Sequence, residues 1–156
     1  MSEKVNIPEI SQKHLHGIKD LTVDDINKIL DLSNFFKLNN KEKDKNYPIL
    51  KGRTIINLFF EPSTRTLISF EIAAKRLGAD VINMNIEGSS LRKGESLQDT
   101  AYTLGAMNPD LVVVRHGIDN ATKQISEILS CPVINAGEGI NEHPTQALLD
   151  AYTIIN

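Results

Sequence analysis

The chain has 156 residues, 40% of them hydrophobic and 24% charged, which leaves room for one domain with a core of its own and excludes disorder, collagen-like repeats and disulfide scaffolds. Seventeen basic residues against twenty acidic ones give a formal net charge of -3, so no whole-surface attraction draws in nucleic acid or an anionic membrane, and any anion must be held by a local arrangement. The absence of tryptophan and an aromatic content of 5% argue against a base-stacking platform. Cys131 stands alone and has no partner for an internal disulfide. The start MSEKVNIPEI has neither the basic stretch nor the apolar run of a signal peptide. No apolar run approaches the roughly 18–20 residues that cross a bilayer. A soluble, cytoplasmic protein is expected, with small molecules or proteins as partners, no nucleic acid and no membrane.

Residues 1–21 are mostly polar and read as a loosely attached N-terminal arm. Thr22 then opens a helix, with Asp25 completing a capping-box variant and Val23, Ile26, Ile29, Leu30 and Phe36 recurring near helical spacing to about Leu38. Residues 39–48 are charged and free of aliphatic side chains until Pro48, which suits an exposed loop. From Lys51 a beat sets in. TIINLFF precedes SFEIAAKRLG, DVINMN precedes SLQDTAYTLGAM, LVVVR precedes ATKQISEIL, and PVINA precedes TQALLDAYTII. Short apolar runs alternating with amphipathic helices indicate an α/β fold: a parallel sheet with helices on both faces, built from four βα units after an N-terminal helix, so that residues 22–156 form one domain. Ligands of such sheets sit at the carboxyl ends of the strands, which singles out residues 61–66, 85–96, 115–120 and 137–146.

The first of these segments, Glu61-Pro62-Ser63-Thr64-Arg65-Thr66, leads directly into a helix. Amides in the first turn of a helix lack intrahelical partners, and the macrodipole adds partial positive charge. Ser63, Thr64 and Thr66 bring hydroxyl donors there, and Arg65 brings a two-pronged grip on phosphate or carboxylate. It is not a Walker loop, whose glycines and Gly-Lys-Ser/Thr ending are missing. In the second segment Ser89, Ser90, Arg92 and Lys93 lie between Gly88 and Gly94, a composition suited to closing over an anion or to an ordinary long connection. Arg115 follows LVVV, and His143 stands before Pro144 at the first turn of the last helix, with Gln146 behind it. Alone, each reads equally as a cap or a surface charge; together they place cations and donors at consecutive ends of one sheet. His14, His16, His116 and His143 show no HExxH or paired-cysteine pattern, so no metal is expected. Cys131, before a proline at a strand start, reads as buried rather than nucleophilic.

FFEPSTRT (59–66) resembles the carbamoyl-phosphate signature shared by aspartate and ornithine carbamoyltransferases, and HPTQALLD (143–150) resembles a second block of that family. SSLRKGESLQDT (89–100) is similar to the mobile loop of its aspartate branch. The resemblance runs along residues 51–156. It implies transfer of the carbamoyl group of carbamoyl phosphate to L-aspartate, an early step towards pyrimidines, with no cofactor. By the same resemblance Ser63, Thr64, Arg65 and Thr66 hold the phosphate, Thr66, Arg115 and His143 address the carbonyl oxygen, and Gln146 contacts the carbamoyl nitrogen. Lys93, with Ser89 or Ser90, belongs to a loop shared with a neighbouring subunit, which implies a homotrimer, with a regulatory chain as a further partner. The family also carries a second domain for the amino acid. This chain is expected to hold only the carbamoyl-phosphate half and to lack transfer activity alone. The alternatives are the ornithine branch, or a non-catalytic phosphate-binding or assembly module. One departure concerns Leu67, which stands where the family usually has arginine; the expected consequences are a local packing change and a Glu71–Lys75 pair in place of an arginine–glutamate one.

Overall fold

The computed structural model describes residues 5–41, 45–85 and 96–155. Helix α1 (Val23–Asn39) comes first, followed by β1 (Thr54–Phe59), α2 (Thr64–Arg76), β2 (Asp80–Asn85), α3 (Leu97–Ala106), β3 (Leu111–His116), α4 (Ala121–Ile128), β4 (Val133–Glu138) and α5 (Pro144–Ile155). The four strands form one sheet in the order β2-β1-β3-β4, every pairing parallel. Continuous apolar runs such as Val112, Val113 and Val114 are buried on both faces, each side chain worth about 1.5–3 kcal/mol relative to exposure. On one face Ile56, Leu58, Val112, Val114 and Val133 meet Ala101 and Leu104 of α3 and Ile125 of α4. On the other Ile55, Phe59, Val113 and Ala136 meet Ala74, with Leu67 and Phe70 of α2 packed against them. Cys131 lies in the first of these clusters, where burial pushes its thiol pKa up.

The chain leaves β1 towards β2 on one side and later adds β3 and β4 on the other, so the strand order reverses between β1 and β3. In an open parallel sheet that reversal opens a crevice at the carboxyl ends of the two strands. Both expected segments, 61–66 after β1 and Arg115 at the end of β3, border it; the N–H of Phe60 donates to the carbonyl of Arg115 at 2.9 Å.

Three boundaries differ from the sequence reading, each for a tertiary reason. Helix α2 starts at Thr64, so the Ser-Thr-Arg-Thr segment is its N-cap and first turn. Strand β4 continues to Glu138, because His116 pairs with Glu138 after a register shift that places one extra β4 residue opposite β3. The described part of the N-terminal arm is tied to the sheet rather than loosely attached. Leu15 pairs in parallel with Ile134, its N–H donating to the Val133 carbonyl at 2.9 Å and its carbonyl accepting the Asn135 N–H at 2.8 Å. A polar segment without strand periodicity thereby covers the free edge of β4.

Leu67 supports the second core cluster, while Lys75 pairs with Glu71 and Asn83 donates to the other Glu71 oxygen at 2.7 Å. The expected Glu71–Lys75 pair is present, and Leu67 packs apolar surface against the core beside it. Among the described residues no helix is long and apolar enough to cross a membrane.

The capping box of α1 is complete: the Thr22 hydroxyl accepts from the Asp25 N–H and the Asp25 carboxylate accepts from the Thr22 N–H, both at 3.1 Å. Asp25 is buried at 1% exposure and also accepts from the Ser11 N–H at 2.9 Å and the Ser11 hydroxyl at 2.6 Å. These donors, the Ser11 hydroxyl first, hold its pKa far below the usual carboxylate range. A depressed folded-state pKa contributes stability that is present above the unfolded value of 3.8 and is lost as pH falls below it. Asp25→Asn should therefore lower Tm by several degrees at pH 7, with the difference from the parent shrinking below about pH 4. Equal melting of the two proteins at pH 7 would contradict this role.

Candidate active site

An open cleft of about 1310 Å³ lies over the carboxyl edge of the sheet. Ser63, Thr64, Arg65, Thr66, Arg115, His143 and Gln146 all line it. The sequence drew these residues from three separate segments, and the fold brings them together. Ser89, Ser90 and Lys93, together with Arg92, lie outside the described residues. Lys37, Arg65 and Arg115 line the cleft, and no aspartate or glutamate does so among the described residues. A chain of net charge -3 thus concentrates positive potential in one concave place, the local arrangement that an anion requires.

The first intrahelical bond of α2 runs from the Leu67 N–H to the Ser63 carbonyl at 2.9 Å, so the amides of Thr64, Arg65 and Thr66 precede the ladder. Ser63 does not cap them: its hydroxyl donates to Thr66 Oγ1 at 3.0 Å instead. Among the described residues these amides have no partner, so the helix start turns free donors and its macrodipole to the cleft, with the exposed Arg65 beside them.

Arg115 occupies the β3–β4 irregularity. Its Nη1 donates to the Ala136 carbonyl at 2.9 Å, and its Nε lies 3.7 Å from a Glu61 oxygen, too far for a hydrogen bond. That Nε is buried without a hydrogen-bond partner among the described residues. The guanidinium fills the space where residue 137 would carry a side chain: a Cβ on Gly137, whose φ is +115°, would stand 2.1 Å from Arg115 Nη1 and 3.4 Å from His143 Cδ2. Only glycine satisfies both the backbone angle and the close approach.

His143 precedes Pro144, the first residue of α5, and its carbonyl accepts the N–H groups of Gln146 and Ala147 at 3.0 Å. Its Nδ1 lies 3.2 Å from the Thr145 hydroxyl. Desolvation and then the nearby Arg115 charge push its pKa below 6.5, so the ring is neutral at pH 7. Gln146 spends its amide nitrogen on Asp150 at 2.9 Å, which leaves its carbonyl oxygen as an acceptor.

His116, at the same sheet edge, does not line the cleft. Its Nδ1 accepts the Ile118 N–H at 2.9 Å, and its ring packs 4.3 Å from Phe60. Thr145, Lys37 and Tyr152 were not singled out from the sequence although they line the cleft; Lys37 lies over the Tyr152 ring at 4.7 Å. Thr145 lay inside the HPTQ string, whereas Lys37 and Tyr152 enter only because α1 packs on α5. No cluster of three or more His, Cys, Asp or Glu suited to a metal occurs among the described residues. A nuclear magnetic resonance titration of His143 should give a pKa below 6.5 that rises in Arg115→Gln; a value at or above 6.5 in the parent would contradict the geometry.

Comparison with known proteins identifies the family. Residues 13–156 match the family described as aspartate/ornithine carbamoyltransferase, carbamoyl-P binding domain. The aspartate carbamoyltransferase catalytic subunit of Pelagibacter ubique (strain HTCC1062) is 55% identical over 100% of this chain and 50% of its own length. That of Parvibaculum lavamentivorans is 54% identical over 98% of this chain and 47% of its own. Aspartate transcarbamoylase from Trypanosoma cruzi, solved in complex with carbamoyl phosphate and aspartate, superposes with a TM-score of 0.86 at 36% identity, covering 96% of this chain and 47% of that one. The catalytic subunit of the M. jannaschii enzyme does so with a TM-score of 0.82 at 44% identity, covering 92% and 47%. The chain spans about half the length of the relatives it matches. With cleft, fold and sequence in agreement, the chain belongs to the aspartate/ornithine carbamoyltransferase family and is similar there to the carbamoyl-phosphate-binding domain.

Proposed function

We propose that residues 22–156 form the carbamoyl-phosphate site of an aspartate carbamoyltransferase, an enzyme that makes N-carbamoyl-L-aspartate and phosphate. The observation that carries this reading is the convergence of Arg65, Arg115 and His143, with Ser63, Thr64, Thr66 and Gln146, on one cationic cleft. Relatives named for aspartate favour it over ornithine as the acceptor.

In this reading the phosphate of carbamoyl phosphate sits on the first-turn amides of α2, with the hydroxyls of Ser63, Thr64 and Thr66 and the fork of Arg65 completing its shell. The carbonyl oxygen points towards Thr66, Arg115 and His143. In the tautomer whose Nδ1 accepts from the Thr145 hydroxyl, the one proton of the neutral ring is on Nε2, a donor suited to that oxygen. The Gln146 carbonyl oxygen accepts from the carbamoyl nitrogen. The uncharged amine of aspartate then attacks the carbonyl carbon, forming a C–N bond. Negative charge gathers on the oxygen, where the donors are already in place, and the C–O bond to phosphate breaks as the dianion leaves towards α2. The amine proton passes to the departing phosphate, which therefore leaves as the hydrogen phosphate dianion. Donors arranged in advance around a developing oxyanion are each worth about 3–4 kcal/mol by deletion.

The same reading carries a homotrimeric assembly in the cytoplasm, with Lys93 and either Ser89 or Ser90 contributing across the subunit boundary and a regulatory chain as a further partner. The designation of the relatives as catalytic subunits supports association with other chains. Sedimentation at micromolar concentration would show a mass near three copies if the trimer is right and one copy if it is not.

Calorimetry on this chain should show carbamoyl phosphate binding that Arg65→Ala abolishes. In a protein of the relatives' full length carrying this sequence, Arg65→Ala or His143→Ala should lower turnover with L-aspartate about 100-fold to 1000-fold while leaving Tm within a few degrees. Turnover within about threefold of the parent, or a preference for L-ornithine, would overturn the reading.

A further inference from the structure

Asn135 joins the segments on which the carbonyl side of the cleft depends. It lies in β4 at 1% exposure. Its Nδ2 donates to the carbonyl of His16 at 2.8 Å and to that of Glu142 at 3.1 Å, and its Oδ1 accepts the Gly137 N–H at 2.8 Å. One side chain therefore holds the N-terminal strap, the residue before His143, and the glycine whose open face receives Arg115. The strap answers from the other side. The Glu142 carboxylate accepts the Ile18 N–H and covers buried Gly17, where a Cβ would meet Glu142 Oε2 at 2.7 Å.

The strap is anchored to the sheet independently of the site. Besides the Leu15 bonds, His14 Nδ1 accepts the Val133 N–H at 3.2 Å, and His16 Nε2 lies 3.2 Å from the Ser126 hydroxyl. None of these contacts involves residues 63–66, so the network holds the segment bearing Gly137 and His143 without touching the helix start that faces the phosphate. Removing a buried amide with three backbone partners leaves those groups unpaired and frees the segment to shift. A displacement of about 1 Å is enough to matter to catalysis.

We propose, resting on the functional reading above, that Asn135 is a positioning residue for Arg115 and His143, and that the 14–18 strap is its fixed counterpart. Together they set the carbonyl-recognising half of the cleft separately from the phosphate-holding half.

Selectivity between two ligands reads this out, because a merely structural role would not move it. Affinities for carbamoyl phosphate and for inorganic phosphate are measured by calorimetry on this chain. Asn135→Ala should weaken carbamoyl phosphate about tenfold or more while inorganic phosphate stays within about threefold. Glu142→Ala should shift the ratio in the same direction by about threefold, and Glu142→Gln, whose amide oxygen still accepts the Ile18 N–H, should restore it. Equal loss of both ligands, or an unchanged ratio in the alanine variants, overturns the proposal. If Asn135→Ala fails to fold, the Glu142 alanine and glutamine variants decide the matter by the same ratio. The functional reading fails by a different sign: a parent that binds neither ligand, or an Arg65→Ala variant that binds both like the parent.

Discussion

The cleft is organised around an arginine standing where a side chain is missing. Gly137 adopts φ +115° and leaves a hole that the Arg115 guanidinium enters, and the same hole borders His143. The extra β4 residue opposite β3 creates this geometry, and the bond from Arg115 to the Ala136 carbonyl locks it. The cation is not neutralised there. Glu61 lies 3.7 Å from Nε with 42% of its side chain exposed, and partly exposed pairs of this kind are worth about 0–1 kcal/mol. A half-compensated guanidinium beside a helix N-terminus and Arg65 makes a site whose electrostatics improve when a dianion arrives.

Three departures from local preference gather at that site. The N-cap serine of α2 leaves its helix amides uncapped, a strand holds a positive-φ glycine, and a buried arginine nitrogen lacks an acceptor among the described residues. Elsewhere two helices begin with complete capping boxes and the strands bury their apolar residues, although Asn108 and the α4 N-cap Asn120 also adopt positive φ. Irregularity concentrated where a cation and a helix start meet is what a functional site imposes on a fold.

Much of this was legible in the sequence. Apolar runs of strand length alternating with amphipathic patterns specify a parallel α/β sheet, and the parallel arrangement itself sends 61–66, Arg115 and 143–146 to one edge. What could not be read depends on contacts between distant segments. Residues 14–18, HLHGI, are too short a run to announce a strand, yet Leu15 extends the β4 ladder. Asn135 looks like any strand residue until the strap and the turn before His143 both offer it carbonyls. Lys37 belongs to a helix that spacing places nowhere in particular, and only the packing of α1 on α5 brings it to the cleft. The Leu67 substitution was legible in both its parts, since helical spacing alone links positions 67, 71 and 75.

The central claim is one of convergence on a single ligand, and a crystal structure of this chain with carbamoyl phosphate bound tests it most directly. The account predicts the phosphate on the first-turn amides of α2 beside Arg65, with the carbonyl oxygen within hydrogen-bond distance of Arg115 and His143. A ligand seated elsewhere, or one whose carbonyl faces away from Arg115 and His143, would contradict it.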